Sequence, residues 1–254
     1  MSVFEVLAII AAGMAAGTVN AVVGSGTLIS FPVLLSFGFA PVTANVSNTL
    51  GLAPGSFTGA YGYRRELEGY GRRVAGLACA SLIGAVIGAV ALLELPASAF
   101  KTIVPGFIVL ALILILVQPR LGRILAARAA LADRARREGG GPLLVLATCL
   151  TGVYGGYFGA AQGIMLLAIL GLGLDEPLQR INAAKNVLAG VANLTAGVVF
   201  AFAAPHVAWT AAGLLASGSI TGGALGARYG RRLPPQALRA LIVVVGIVAI
   251  VRLV

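Results

Sequence analysis

The stretch NAVVGSGTLISFPVLLSFG, residues 20–38, interrupts an apolar segment that begins near Val3. It places an asparagine, two glycines, a serine and a threonine where a continuous apolar helix would gain nothing from them. Small residues in close succession weaken a helix. The stretch therefore predicts that one apolar helix ends near Val22 and that a short second helix begins near Gly26, inside the protein.

The composition decides the class of protein. Hydrophobic residues make up 59% of the 254 residues, charged residues make up 10%, and the mean hydropathy is +1.00. A soluble domain of this length is about a quarter charged. Because lipid offers the backbone no hydrogen-bond partners, membrane-spanning segments of such a chain form helices. The composition predicts an all-α, polytopic membrane protein.

The formal net charge of +10 does not indicate a nucleic-acid partner. The arginines form short clusters between apolar segments, as the flanking charges of membrane spans do, and not one continuous basic face. Cys79 and Cys149 lie in apolar segments, so we expect both to be small buried core residues. No His/Cys/Asp/Glu cluster of metal-ligand spacing is visible, and we expect no metal or other cofactor.

About 20 apolar residues cross a bilayer. By this criterion the sequence predicts ten apolar segments, of which the second and seventh are short. They lie at about 3–22, 26–38, 42–62, 74–93, 99–118, 142–158, 162–174, 181–203, 207–226 and 234–253. Each short segment is interpreted as a half-helix or as one arm of a re-entrant hairpin.

The arginine clusters orient the chain. They follow the third, fifth and ninth segments, and with ten crossings all three fall on one side of the membrane. They comprise Arg64, Arg65, Arg72, Arg73, Arg120, Arg123, Arg128, Arg134, Arg136, Arg137, Arg228, Arg231 and Arg232. The positive-inside rule makes that side the cytoplasm and places both termini outside. The count does not separate two full crossings from a re-entrant pair.

The two halves of the chain resemble each other. SLIGAVIGAVALLELPASAFK at 81–101 matches SITGGALGARYGRRLPPQALR at 219–239 in seven positions, with an offset of 138. With an offset of 137, Gly26, Asn45 and Thr58 match Gly163, Asn182 and Thr195. Five segments per half is an odd number, so the second copy is inverted in the membrane. The pattern is typical of inverted-repeat transporters, whose site lies near the midplane between the halves.

The repeat divides the chain into three parts. We expect a first transmembrane repeat at 1–118, a basic cytoplasmic linker at 119–141 and a second, inverted repeat at 142–254.

The interrupted segments are candidates for an anion site. A helix that restarts near Thr27 points free N–H groups into the interior, with Ser25 as its N-cap, and such an end attracts anions. In the second half, Gly159 and Gly163 flank Gln162 at the corresponding place. Two such ends would form one anion cradle. The alternative is that the glycines only allow tight helix packing, and packing is the favoured interpretation for Gly84, Gly88, Gly222 and Gly226.

Polar residues also share one face of the third and eighth segments. Lys185 lies eight residues past Pro177, about 12 Å along a helix. A lysine at that depth costs about 2.5 kcal/mol unless it is paired. Asp175 and Glu176 lie near the interface, so a mobile anion is the natural missing partner. The alternatives are that Lys185 snorkels to the surface, as is favoured for Arg180, or that the amides only link helices.

These arguments select twelve candidate substrate-binding residues. They are Asn20, Ser25, Gly26, Thr27, Asn45, Asn48, Thr49, Gln162, Gly163, Asn182, Lys185 and Asn186.

The segments GTVNAVVGSGTLISFPVLLSFG and ANVSNTLG, their echoes GGYFGAAQGIMLL and INAAKNVLAG, and the basic central loop resemble the TauE/SafE sulfite exporter family. The resemblance covers nearly the whole chain. It implies transport of small sulfur-containing anions, such as sulfite or organosulfonates, across the bacterial inner membrane. Family members often carry Thr-Ser or Thr-Asn in the third and eighth elements. Here those positions read Ser47-Asn48-Thr49 and Ala184-Lys185-Asn186, and the lysine departs from that symmetry.

The sequence favours a secondary carrier that works by alternating access and contacts membrane lipid. No ATP-binding loop is visible, so the driving force is the anion's own gradient, a proton or another ion. An anion channel, or a permease for another small organic anion, is the alternative. A membrane enzyme is disfavoured because the one histidine, His206, is expected at the outer edge, away from Ser25. A purely structural scaffold leaves Lys185 unexplained, and a homodimer is left open.

Overall fold

The computed structural model describes residues 1–131 and 141–230, together with the positions 240, 242–244 and 247. Within these residues every regular element is a helix. The predicted tenth segment, at 234–253, lies almost wholly outside the described residues.

The first half contains α1 (Val3–Val22), α2 (Thr27–Ser36), α3 (Pro41–Gly62), α4 (Gly71–Glu94) and α5 (Ala97–Leu131), with a 3-10 turn at Arg64–Leu67. The second half contains α6 (Pro142–Tyr157), α7 (Gln162–Gly173), α8 (Leu178–Ala203) and α9 (Trp209–Tyr229). The sequence therefore predicts the order and the approximate bounds of these nine helices of the described residues.

The helix α5 extends beyond the predicted fifth apolar segment at about 99–118, which corresponds to the apolar span Ser98–Arg120. The helix continues to Leu131, past the expected end of the first repeat at residue 118. The segment after Pro119 is rich in alanine, leucine and arginine, which are strong helix formers. The predicted linker at 119–141 therefore begins as helix, and 132–140 lie outside the described residues.

The helices have the lengths and composition of a multi-pass membrane protein. Four of the described helices are long and apolar enough to cross a bilayer: α1, α4, Ser98–Arg120 within α5, and α8. The second and seventh elements, α2 and α7, have 10 and 12 residues. At 1.5 Å per residue each spans only about half of a hydrocarbon layer roughly 30 Å thick. Neither crosses the membrane alone.

The two halves interlock through a repeated set of helix pairs. The first helix of each half packs against the fourth helix of the other half, which pairs α1 with α9 and α4 with α6. The third helix of each half also packs against the fourth helix of the other half, which pairs α3 with α9 and α8 with α4. The two third helices, α3 and α8, pack against each other. These pairings are therefore repeated when the two halves are exchanged.

Glycines bring these helices into backbone contact. A Cβ added to any of the four glycines singled out by the sequence would overlap backbone atoms of the facing helix. The pairs are Gly84 with Cys149, Gly88 with Val153, Gly222 with Met14, and Gly226 with Thr18. Cys149 and Met14, which face the equivalent glycines of the two halves, are 135 positions apart, and so are Val153 and Thr18. The contacts therefore repeat between the halves. The packing interpretation of these glycines is confirmed.

We expect Gly84→Val to destabilise the protein by about 3 kcal/mol, because overpacking against an immobile backbone forces α4 and α6 apart. Gly76 is the matched control, since it lies in the same helix with open space around its Cβ position. Gly76→Val should therefore change stability by less than about 1 kcal/mol. Thermal unfolding of both variants in detergent measures the difference. Equal melting temperatures would show that the close approach is not needed.

Candidate functional site

Two breaks in the apolar helices form the centre of the candidate site. The first separates α1 from α2 and has Gly24 at φ +88°. The second separates α6 from α7 and has Gly159 at φ +76° and Ala161 at φ +61°. This left-handed conformation is open to glycine but costs other residues roughly 1–2 kcal/mol. Each half of the chain thus contains one interrupted helix, as the sequence predicts.

The two breaks touch each other through backbone atoms. The Gly163 N–H donates a hydrogen bond to the Gly24 carbonyl at 3.0 Å. A Cβ on Gly163 would overlap the backbone of Gly24, and a Cβ on Gly24 would overlap that of Gly163. A Cβ on Gly26 would likewise overlap the Ala16 carbonyl. Glycine is therefore required on both sides of the contact.

The prediction that Ser25 caps α2 is wrong. The N-cap is Gly26, which adopts helical φ −58° and ψ −38°, and no side chain accepts a capping hydrogen bond from the first N–H groups of α2. Because the helical turn already begins at Gly26, Ser25 is displaced from the capping position. Its side chain is 0% exposed, and its Oγ has no hydrogen-bond partner among the described residues.

The start of α2 retains free hydrogen-bond donors. Leu28 N–H donates to Ser25 O at 3.2 Å and Ile29 N–H donates to Gly26 O at 2.9 Å. The N–H groups of Ser25, Gly26 and Thr27 donate to no described residue. Backbone donors of this kind, at the positive end of a helix dipole, favour an anion.

The second break contains another free donor. Gln162 is 2% exposed, and its amide lies against Gly155 of α6, where a Cβ would overlap it. Its Nε2 has no partner within the described part of the chain, and neither has the hydroxyl of Tyr157. Buried donors without acceptors are costly, so these donors favour a ligand that accepts hydrogen bonds.

Lys185 points at the C-terminal end of α1. Its side chain is 0% exposed, and Nζ donates to the carbonyls of Asn20 at 2.9 Å and Ala21 at 3.2 Å. Asn182 and Asn186 also donate to Ala21 O, at 3.4 and 3.2 Å. These carbonyls belong to the last turn of α1, where carbonyl oxygens find no N–H donor within the helix and carry partial negative charge. The face of α8 that carries Asn182, Lys185 and Asn186 therefore caps the C-terminal end of α1, where the first break begins.

This arrangement changes the interpretation of Lys185 in two ways. The snorkelling alternative does not hold, because the side chain is fully buried. The partners of the ammonium include neutral backbone carbonyls, which the sequence around Lys185 does not indicate. An ammonium has three hydrogens, and two are used. The third has no acceptor among the described residues, and the Oδ1 atoms of Asn182 and Asn186 are also without partners there.

Asn45 of α3 performs the corresponding capping in the other half. Its Nδ2 donates to the carbonyl of Tyr157, the last residue of α6, at 2.9 Å. Its Oδ1 has no partner among the residues that the structure describes. Thr49 donates to Asn45 O at 3.0 Å, so its hydroxyl hydrogen is used within α3.

Asn48 is the repeat counterpart of Lys185, but it contacts a different helix. Its Nδ2 donates to Thr27 Oγ1 at 3.3 Å, and its Oδ1 accepts from Ser30 Oγ. Asn48 thus fixes the first turn of α2. The Asn20 side chain donates to Ser56 Oγ at 3.0 Å, so Asn20 offers its carbonyl to Lys185 and its amide to α3.

An ionic cluster lies at the start of α8, separate from the breaks. Arg180 donates to Glu176 at 2.8 Å and to the Glu66 carbonyl at 3.0 Å, and Arg73 lies 3.9 Å from Glu176. The guanidinium of Arg180 also lies 5.6 Å from the centre of the Tyr70 ring. The Arg180 side chain is 37% exposed, which fits the predicted role as an anchor near the membrane surface.

A cavity of about 290 Å³ between α3 and α8 does not coincide with the site. Its lining is apolar and includes none of the twelve candidate residues. The lining residues are Leu50, Ala53, Pro54, Phe57, Leu194, Gly197, Val198, Ala201 and Phe202. The buried candidate residues around the breaks are instead shielded from solvent in this conformation.

The comparisons with known proteins agree with this architecture. The family model described as Sulfite exporter TauE/SafE matches residues 9–253. Probable membrane transporter protein YfcA of Escherichia coli K12 is 26% identical over 237 residues, which cover 92% of this chain and 84% of that protein. A probable membrane transporter protein of Haemophilus influenzae is 27% identical, with 91% and 88% coverage. Probable membrane transporter protein ORF9 of a Sinorhizobium species is 26% identical, with 98% and 93% coverage.

No solved structure matches the chain. The family match spans both interrupted helices and the α8 face that carries Lys185. The chain belongs to the TauE/SafE family of membrane transporters.

Proposed function

We propose that the protein is a secondary carrier of small sulfur-containing anions such as sulfite or organosulfonates. The observation that carries the proposal is the fully buried Lys185, whose ammonium has a hydrogen free beside the first break. Ser25 and Gln162 add unpartnered polar atoms to the same interior. A tetrahedral or pyramidal oxyanion accepts several hydrogen bonds at once, and a charge-assisted bond from lysine is among the stronger ones.

We further propose that transport proceeds by alternating access between two inverted repeats, at 1–118 and 142–254. The matched exchange of helix contacts between the halves supports this arrangement. Broken helices that meet at a repeat interface are the usual binding place in such carriers. Eleven of the twelve candidate residues are buried and Asn20 is half-buried, which fits an occluded conformation.

The test is uptake into proteoliposomes of labelled sulfite, sulfate, thiosulfate and methanesulfonate. The proposal expects saturable uptake of at least one sulfur anion and counterflow when the lumen is preloaded with the same anion. Flux that rises linearly with concentration without counterflow would identify the alternative, an anion channel. Uptake of none of the four anions would overturn the proposed function.

The proposed orientation in the bacterial inner membrane has both termini outside and the 64–73 loop inside. In a background without Cys79 and Cys149, we expect Glu68→Cys to react with an impermeant thiol reagent only after the membrane is opened. Glu68 is exposed. Ser98, also exposed, lies at the opposite end of α4, and Ser98→Cys should react in intact spheroplasts. The reverse pattern would invert the topology.

A further inference from the structure

We propose that Lys185 takes up a proton with each transported anion, so that the carrier moves an anion and a proton together. This inference rests on the proposed function and names its coupling ion. It starts from the number of hydrogen-bond acceptors around Nζ.

The acceptors around Lys185 match a neutral amine. Nζ donates to two carbonyls, those of Asn20 and Ala21, and a neutral amine has two hydrogens to donate. An ammonium has three hydrogens and a full charge. The third hydrogen has no acceptor among the described residues. The end of α1 can therefore hold the side chain in either protonation state, whereas only the protonated state requires a further partner.

The neighbouring helices provide no carboxylate close to Lys185 in the chain's described part. The helices α3, α6 and α7 contain no Asp, Glu, Lys or Arg. Glu5 lies in the first turn of α1, at the opposite end from Ala21. The other ionisable groups on α8, on the elements packed against it and directly beside them lie at helix ends or are Cys or Tyr. They are Tyr61, Tyr63, Arg64, Arg65, Glu66, Glu68, Tyr70, Arg72, Arg73, Cys79, Glu94, Cys149, Tyr154, Tyr157, Asp175, Glu176 and Arg180.

This environment links protonation to anion occupancy. An unpaired charge inside the protein is costly, and an adjacent opposite charge removes most of that cost. When an anion enters, a proton binds the amine lone pair, forming an N–H bond that faces the anion. When the anion leaves on the other side, the ammonium loses its counter-charge and releases the proton to the same compartment. The amine and its two carbonyl contacts are restored, and the cycle is balanced.

The experiment uses full-length protein in proteoliposomes that contain a pH-sensitive dye, with methanesulfonate as the probe because it stays anionic over the working pH range. An inward methanesulfonate gradient should acidify the lumen, with protons and anions entering in equal amounts. An external pH lower than the internal pH should accelerate uptake, and a clamped membrane potential should not alter it. Methanesulfonate uptake without acidification, or uptake that follows the membrane potential, would overturn the coupling and leave the proposed carrier function intact. If neither methanesulfonate uptake nor acidification occurs, the coupling as stated is wrong. Uptake of sulfite, sulfate and thiosulfate then decides separately whether the proposed carrier function holds.

Two variants test whether Lys185 is the group that takes up the proton. Lys185→Arg places a guanidinium that remains protonated at this position, so any residual uptake should lose its acidification and become dependent on membrane potential. Arg180→Lys alters a cation outside the breaks and should keep acidification and uptake in their original ratio. If Lys185→Arg does not fold or transport, the measurements on the unaltered protein decide alone. Acidification that persists in a transporting Lys185→Arg would contradict the assignment to Lys185.

Discussion

Replacing Lys185 by alanine should weaken anion binding ten- to a hundredfold. The substitution removes a charge-assisted hydrogen bond in a site shielded from water, which is worth about 1.5–3 kcal/mol. Lys185→Arg should also bind poorly, because the guanidinium is wider and forked whereas the ammonium is compact. Asn48→Ala should weaken transport less, since Asn48 acts on α2 through Thr27 and Ser30. The dissociation constant for sulfite, measured on purified protein, checks the two Lys185 variants, and sulfite uptake into proteoliposomes checks Asn48→Ala.

The control for Lys185→Ala must separate binding from folding. The substitution also removes the donor to Asn20 O, while Ala21 O keeps its bonds from Asn182 and Asn186. Lys185→Met retains most of the side-chain volume and should show the same loss of binding with a smaller loss of stability. Arg180→Ala should have a mild effect, because Arg180 is part of a partly exposed ion pair. Normal sulfite affinity in Lys185→Ala, with a loss in Arg180→Ala, would move the anion site to the end of α8.

Replacing Gly24 by alanine should destabilise the protein and abolish transport. Gly24 has φ +88°, and the added Cβ would also overlap the backbone of Gly163. Gly38 is a matched control, since it has φ +83° but open space around the Cβ position. Gly38→Ala should cost only the conformational penalty, roughly 1–2 kcal/mol. Gly24→Ala should cost about 3 kcal/mol more, because a close backbone contact has no flexible side chain to yield.

Thermal unfolding and uptake of the two alanine variants give the readout. The difference between them isolates the contact of the two breaks from the strain of a positive φ. Similar stability and similar uptake in Gly24→Ala and Gly38→Ala would show that the breaks do not need to touch.

The sequence predicts most of the helices because apolar length and interruption by glycine are local properties. The short α2 and α7 follow from the composition around Gly24 and Gly163, and their contact agrees with the prediction that matching breaks lie together. The capping role of Ser25 is wrong because cap geometry depends on the backbone of Gly26, which composition does not determine.

The partners of Lys185 could not be read from its own segment. Its acceptors are backbone carbonyls 164 and 165 positions away, and a carbonyl has no signature in the sequence. One signal was available, because a helix broken inside the protein must leave its last carbonyls in need of donors. Following that requirement from Val22 would have pointed to buried donor side chains on another helix.

The expected burial of the cysteines also fails. Cys79 is exposed and Cys149 is partly exposed. Burial of free cysteine is a tendency of proteins in water, whereas the outward face of a membrane helix packs against lipid. A small, weakly polar side chain is therefore tolerated on the surface of α4.

We propose that the anion binds between the two breaks, on Lys185. Its position can be measured from the anomalous scattering of selenium in crystals soaked with selenite, a heavier analogue of sulfite. The account predicts a peak at about 3–4 Å from Lys185 Nζ, as an oxyanion hydrogen-bonded to the ammonium requires. A peak beside Arg73 and Arg180, with none near Lys185, would contradict it.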